Sequence, residues 1–298
     1  NNIPVYTEVI LGLPGETVST WKEGFWKIFR AGNHTGINIL HAQMLENAEM
    51  NISQKEKFQI ESRPVYDYMS GSYNSDETKE SIDVVVSTKD MSTEEMLEAH
   101  AFSWFIQTFH INGLTTYVSR YLHKHKGVDY KQFYEELYEY LKTNSWFQQE
   151  RNQIKKYYAN WMFDGSINHP DISNIEIHGW NLVHRTTLNI HANNLYDHVF
   201  TLVEDFVNKK FPSKENNQLL DFQRTFVIDY YKVKNYPIVK QYDYDFLGDL
   251  LEDGPLENKT TYKFDFIESK DITIERFLEN IYFSRRRNFG KAWVTRKE

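Results

Sequence analysis

The first part of the chain combines two short apolar runs with one amphipathic stretch. Val5–Leu11 mixes β-branched and apolar residues and stops at a Gly-Leu-Pro-Gly turn, a pattern typical of a buried strand. A helix is predicted next, because Thr17 is a suitable N-cap and four apolar residues recur at helical spacing: Trp21, Phe25, Ile28 and Phe29. Gly32 ends that helix, and Ile37–Leu40 resumes as a strand. This order predicts a parallel βαβ unit.

The middle of the chain is predicted to be mainly helical. Ser92-Thr93-Glu94-Glu95 matches a capping box, and a wide apolar face follows it, formed by Met96, Leu97, Ala99, Phe102, Trp104, Phe105, Ile106 and Phe109. We expect this helix to be covered on two sides. Further helices are predicted over Leu114–His123, Tyr130–Leu141, Ser145–Met162, Leu182–Phe211 with a break, and Asn217–Tyr231.

Alternating polar and apolar positions predict strands elsewhere. Ser81–Ser87 contains three consecutive valines and is predicted as a strand. Asp243–Phe246 and Thr261–Phe266 alternate polar and aromatic residues, which favours a small terminal sheet. Ala292–Thr295 is a last strand-like run, preceded by a predicted helix at Ile274–Tyr282.

Together these elements predict an α/β plus α protein in three segments. Residues 1–50 form the βαβ unit, residues 51–90 form a covering loop and a strand, and residues 91–298 form a mainly helical domain with a small β element. The chain of 298 residues has 7 Trp, 20 Tyr and 20 Phe, so a sizeable core is expected and disorder is not.

Charge and cysteine content limit the classes of partner and site. The net charge of -8 argues against a nucleic-acid or anionic-membrane surface. No apolar run is long enough for a membrane span and no signal sequence is visible, so a cytoplasmic protein without membrane contact is expected. The chain has no cysteine, which excludes disulfides and cysteine-ligated metals within it.

The turn Gly12-Leu13-Pro14-Gly15 is the main candidate for chemistry. It follows a buried strand at the end where barrel enzymes bind their ligands, and glycines allow a ligand to approach the backbone closely. Neither the phosphate-binding nor the dinucleotide-binding glycine pattern is present. From these residues alone a structural turn is favoured, and a ligand-binding turn is the alternative.

Ile10–Thr17, followed by Trp21, resembles the fifth-strand segment of radical S-adenosylmethionine (SAM) enzymes. Ile37–His41 and the exit loop to Met50 resemble the sixth strand, although Glu46-Asn47-Ala48-Glu49 stands where many relatives have a Pro-Gly-Thr-like turn. The spacing to Arg63–Tyr68 is similar to the cobalamin-binding branch of this family. Two further runs also look like the C-terminal extension of that branch: Val84–Tyr121 and Arg285–Trp293.

The resemblance implies the C-terminal end of a partial (β/α) barrel that binds SAM and a 4Fe-4S cluster, with cobalamin as a possible further cofactor bound mostly upstream. It places these residues beside SAM: Ile10, Gly12, Leu13, Pro14, Gly15 and Glu16. Ile39, Leu40 and His41 are expected to flank the same ligand through backbone groups. Tyr66 and Tyr68 are expected at the substrate entrance, with ordinary loop packing as the alternative.

The family holds its cluster with three cysteines in a Cys-x-x-x-Cys-x-x-Cys loop, and this chain has none. We therefore expect the ligands upstream, in a missing N-terminal part of the same polypeptide, and an inactive chain on its own. No catalytic residue and no metal ligand is assigned within it. Its expected partners are that missing part, a small-molecule or unknown substrate, and an electron donor for the cluster.

Two other functions stay open on the sequence. The chain could be a non-catalytic helical interaction module, which predicts a start codon near Asn1. It could also be a fragment of another barrel enzyme, which predicts different catalytic residues upstream.

Overall fold

The computed structural model describes residues 7–66, 81–164, 186, 189–190, 193–266, 269–274, 276–277 and 292–297. The chain forms two compact units. The first comprises residues 1–106, 142–171 and 178–182, and the second comprises residues 107–141, 172–177 and 183–298. The three-segment division at residues 50 and 90 stays a prediction.

The described elements are α-helices, short π-helices at Met50–Gln54 and Gln107–Ile111, a 3₁₀ helix at Tyr230–Asn235, and short strands in small sheets. The helices are α1 (Val18–Arg30), α2 (Thr93–Ile106), α3 (Thr116–Lys126), α4 (Tyr130–Leu141), α5 (Ser145–Asp164), α6 (Tyr196–Lys210), α7 (Asn216–Phe226) and α8 (Phe246–Glu252). The strands are β1 (Thr7–Leu11), β2 (Ile37–His41), β3 (Glu61–Tyr66), β4 (Ser81–Ser87), β5 (Ile238–Tyr242), β6 (Thr260–Asp265) and β7 (Trp293–Lys297). This mixed composition agrees with the predicted α/β plus α class.

The predicted βαβ unit is present in the first compact unit. β1 and β2 pair in parallel, with Thr7 opposite Ile37 and Leu11 opposite His41. Helix α1 begins where the sequence predicted, because the Thr17 hydroxyl accepts a hydrogen bond from the backbone N–H of Thr20 while the Thr20 hydroxyl accepts one from that of Thr17. The buried face of α1 consists of Trp21, Phe25, Trp26 and Phe29.

Strands β3 and β4 pair in antiparallel orientation, and β4 also bonds to the residues that follow β2. The Ala42 N–H donates to the Leu11 carbonyl, and the Ala42 carbonyl accepts from the Val85 N–H in β4. Gln43 bridges Val84 and the Met44 N–H donates to the Asp83 carbonyl. The sequence placed residues 61–66 in a covering loop, and this prediction is wrong, because they form strand β3 paired with β4.

Helices α2 and α5 complete the first unit. Every residue of α2 from Met96 to Ile106 is buried except Glu98, so the prediction of a helix covered on two sides is confirmed. The Trp21 indole N–H of α1 donates to the Ser103 hydroxyl of α2 at 2.8 Å. Between α2 and α5, Glu98 pairs with Arg151, and Trp104 lies against Phe147 with ring centroids 5.3 Å apart. Helix α2 therefore packs between α1 of the βαβ unit and α5, and it is the most buried helix of the first unit.

The second unit contains the α-helices α3, α4, α6, α7 and α8 and a three-stranded antiparallel sheet of order β5-β6-β7. The strand predicted at Asp243–Phe246 is wrong. Asp245 instead caps helix α8, because its carboxylate accepts from the Gly248 N–H at 2.8 Å, and Phe246 is the first residue of that helix. An alternation of only four residues cannot distinguish a strand from a turn and a cap.

Most other predicted elements are confirmed to within a few residues. The helix predicted over Asn217–Tyr231 ends at Phe226, and a separate 3₁₀ helix follows at Tyr230–Asn235. Most of the helix at Ile274–Tyr282 and part of the stretch Leu182–Phe211 lie outside the described residues. Among the helices of the described part, none is both long and apolar enough to cross a membrane.

Candidate functional site

The end of the parallel strand pair carries an exposed apolar face. Ile10 and Leu40 lie opposite each other in the register of β1 and β2, and they are 41% and 42% exposed. Leu13, in the turn after β1, is also 41% exposed. We call these three exposed apolar side chains, Ile10, Leu13 and Leu40, the strand-end face.

The turn beside this face has a backbone that favours glycine. Gly12 and Gly15 have φ values of +96° and +83°, which are left-handed conformations that residues with a side chain rarely adopt. A Cβ atom at Gly12 would also lie 3.4 Å from the Met96 methyl and 3.5 Å from the Ala42 Cβ. The glycine pattern that the sequence singled out is therefore required by the conformation of the turn.

Glu16 forms a hydrogen bond across the same turn. Its carboxylate accepts a hydrogen bond from the Gly12 N–H at 3.0 Å. Burial raises the pKa of this carboxyl, although backbone hydrogen bonds from Gly12 and Leu13 oppose the increase. The side chain of Glu16 thus bonds to the backbone of the turn, whereas the Leu13 side chain is exposed.

The predicted residues of β2 divide between its two faces. Leu40 belongs to the strand-end face, whereas Ile39 and His41 lie on the opposite face by the alternation of a strand. The His41 ring makes two hydrogen bonds: its Nε2 lies 2.5 Å from the Val85 carbonyl oxygen in β4, and its Nδ1 lies 2.9 Å from His100 Nε2 in α2. The side chain of His41 therefore packs among secondary-structure elements.

Helix α5 completes the surroundings of these two histidines. The Tyr158 ring stacks on His100 with centroids 3.6 Å apart, and the Trp161 ring meets His41 edge-on at 5.0 Å. Sequence reasoning missed His100, Tyr158 and Trp161. A single histidine on a predicted core helix gives no signal of its partner, because that partner is distant in sequence.

Tyr66 is the last residue of β3, where it pairs with Ser81 of β4. Tyr68 lies outside the described residues. The expectation that both tyrosines line a substrate entrance stays a prediction.

The chain fits one of the three implied cofactors in part. The strand-end face and the glycine turn suit a flat, largely apolar group such as adenine, with backbone polar groups at its edge. They do not suit an iron–sulfur cluster, since the chain has no cysteine, and no group of three potential metal ligands meets within the described residues. No described feature selects for cobalamin.

Comparisons with known proteins support the resemblance. No protein-family model matches the chain. Over 141 residues, or 47% of its length, it is 32% identical to the cobalamin-dependent radical SAM methyltransferase TokK of Streptomyces tokunonensis. Over the same length it is 33% identical to a 2-(S-pantetheinyl)-carbapenam-3-carboxylate methyltransferase of Streptantibioticus cattleyicolor. The match spans 21% of each of these relatives. The predicted similarity to the cobalamin-associated radical SAM branch is confirmed.

Proposed function

We propose, from the similarity of this chain to cobalamin-dependent radical SAM methyltransferases, that it is part of such an enzyme and supplies one side of the SAM site. In this proposal β1 and β2 are the last strands of a partial (β/α) barrel, and the remaining strands come from an upstream part of the same polypeptide. The second compact unit belongs to a C-terminal extension.

One observation carries this proposal. Ile10 and Leu40 are exposed side by side, and the Gly12–Gly15 turn lies at the same end of the strands. Because other large apolar residues of the first unit fill a buried core, adjacent exposed residues of this size favour a binding surface. Their place at the carboxyl ends of parallel strands is the place where barrel enzymes bind ligands.

Each part of the site has a defined task in this proposal. Ile10, Leu13 and Leu40 contact the adenine ring and exclude water from it. Pro14 and the glycines of the turn bring the backbone close to the ligand, and Glu16 holds that turn. Ile39 and His41 keep β2 in place, so that backbone groups at its end flank the ligand.

The bound cofactors supply the chemistry. SAM supplies a radical or a methyl group, and the cluster ligands, most of the cobalamin site and the contact with an electron donor come from outside this chain. Both relatives are named as methyltransferases. We therefore propose methyl transfer to a small molecule, with Tyr66 and Tyr68 near its entrance.

The strand-end face can be tested by ligand binding. We expect the chain to bind S-adenosylhomocysteine in isothermal titration calorimetry, and the double variant Ile10→Asp/Leu40→Asp to bind it at least about 10-fold more weakly. Two apolar contacts are lost, each of them worth roughly 1 kcal/mol or more. Val239→Asp, at an exposed apolar position of β5 in the second unit, is the matched control and should bind normally. Equal affinity of the double variant and the control would contradict the proposal.

The proposed origin of the cluster ligands can be tested on the gene. We expect the DNA upstream of the Asn1 codon to encode, in the same frame, a Cys-x-x-x-Cys-x-x-Cys loop preceded by a cobalamin-type domain. A start codon at Asn1 would instead exclude radical chemistry by this chain and favour a binding role.

A further inference from the structure

The half-buried His41 and the buried His100 form a pair that joins four elements of the first unit. His41 ends β2 and bonds Val85 in β4, while His100 in α2 stacks on Tyr158 of α5. The two imidazole rings are nearly parallel, with an interplanar angle of 15°. No described residue other than these contributes a hydrogen bond to either ring.

The hydrogen-bond partners decide where the protons lie. The Val85 carbonyl only accepts, so His41 carries its proton on Nε2 and presents a bare Nδ1. The bond of 2.9 Å then requires His100 to donate from Nε2, which leaves His100 Nδ1 without a proton. That nitrogen is buried and has no hydrogen-bond partner among the described residues. Among arrangements in which both rings are neutral, this one alone satisfies both hydrogen bonds of the pair.

An added proton would break this arrangement. On His41 Nδ1 it would place two N–H groups against each other unless the proton of His100 moved to its Nδ1, where no described residue accepts it. On His100 Nδ1 it would create a buried cation with no acceptor in the described part of the chain. Burial lowers the pKa of His41 to about 4, against a smaller opposing effect of the Val85 carbonyl, and burial and then the charge of His41 lower the pKa of His100.

No charged group nearby offsets this cost. On α2 and α5, Glu94 and Glu98 form ion pairs with Lys155 and Arg151. On β4, Asp83 is exposed, and the group of α5 that faces His100 is the uncharged Tyr158 ring. Within the described residues, no carboxylate pairs with either imidazole.

The pair lies directly beside the proposed ligand site. Leu40 of the strand-end face precedes His41, and Ala42, which follows it, bonds both Leu11 and Val85. The His41 side chain adds contacts from the end of β2 to two helices, to His100 of α2 and to Trp161 of α5. We propose that the His41–His100 pair is a proton-sensitive clamp whose two histidines act as positioning residues for the strand-end face. The effect on the ligand rests on the proposed function, whereas the clamp itself does not.

The clamp is tested first by titration, without any ligand. A histidine in the unfolded chain has a pKa near 6.5, and folding lowers the pKa of His41. As the pH falls below 6.5, the unfolded chain binds a proton that the folded chain does not bind, so the folded state loses stability until the pH reaches the folded pKa. For His41 alone, the equilibrium constant for unfolding should rise about 30-fold between pH 8 and pH 5. In the wild-type chain, NMR should show both imidazoles still neutral at pH 5.5. Titration of either ring near 6.5 would overturn the clamp.

Variants test whether the clamp also positions the ligand face. His41→Gln/His100→Phe removes both titrating groups, so the equilibrium constant for unfolding should lose the change of about 30-fold between pH 8 and pH 5 that comes from His41, and the contribution of His100 in addition. His198→Gln, at an exposed histidine of α6, should keep that dependence. At pH 8 the double variant should bind S-adenosylhomocysteine roughly fivefold more weakly than wild type, since an apolar contact of about 1 kcal/mol is loosened.

The two proposals fail in different ways. Normal binding by a folded double variant would overturn the positioning role while leaving the ligand site intact. If the wild-type chain did not bind S-adenosylhomocysteine at pH 8, both the ligand site and the positioning role would be overturned. The titration of His41 and His100, which needs no ligand, would still show whether the pair is a proton-sensitive clamp.

Discussion

Replacing Phe102 by alanine is expected to lower the free energy of unfolding of the first compact unit by about 3–5 kcal/mol. Phe102 is fully buried in α2, and its ring meets three others: Phe25, Trp26 and Phe105. The Lys22 ammonium also lies 4.4 Å from the centroid of its ring. Truncation removes all of these contacts and leaves a cavity between α1 and α2.

Chemical denaturation followed by tryptophan fluorescence and circular dichroism measures this loss. Phe163→Ala is the matched control, because Phe163 lies on α5 of the same unit but is 44% exposed, and it should cost less than about 1 kcal/mol. Equal losses for the two variants would mean that α2 is not the core helix of this unit.

Replacing Gln223 by alanine is expected to destabilise the second unit by about 2–4 kcal/mol. Gln223 lies in α7 and is fully buried. Its side-chain amide donates to the Gly113 carbonyl, and its carbonyl oxygen accepts from the Tyr117 N–H at 2.7 Å. The second bond supplies a partner for a free N–H in the first turn of α3, so its loss leaves buried backbone groups unsatisfied.

Gln218 offers a closely matched control on the same helix. Its Nε2 donates a hydrogen bond to the Asp243 carboxylate at 2.8 Å, and its Oε1 accepts one from the Asp243 N–H at 2.7 Å. Both hydrogen bonds are exposed to solvent. Water can replace these partners, so Gln218→Ala should cost at most about 1 kcal/mol. Urea denaturation of both variants separates the effect of burial from the effect of bond number. If Gln223→Ala lowered the free energy of unfolding as little as Gln218→Ala does, the Gln223 amide would not stabilise the packing of α7 against α3.

Local chemistry explains which predictions succeeded. Thr17 and Ser92 each begin a helix through hydrogen bonds to residues three positions away, so short-range sequence contains the whole interaction. The parallel pairing of β1 and β2 also follows from order and spacing, because a short helix between two strands leaves few alternatives. The same logic failed at Asp245, where four alternating residues were compatible with both a strand and a cap.

Sequence by itself determined the βαβ unit, the glycine turn after β1 and the similarity to cobalamin-associated radical SAM enzymes. Each depends on residues that are neighbours along the chain. Only the tertiary structure decided that Ile10 and Leu40 are exposed together, that Glu16 holds the turn, and that His41 faces His100. The histidine contact joins residues 59 positions apart, and the face depends on which side of the strand pair the helices cover. Both features depend on packing between residues that are distant in sequence, so no local sequence pattern predicts them.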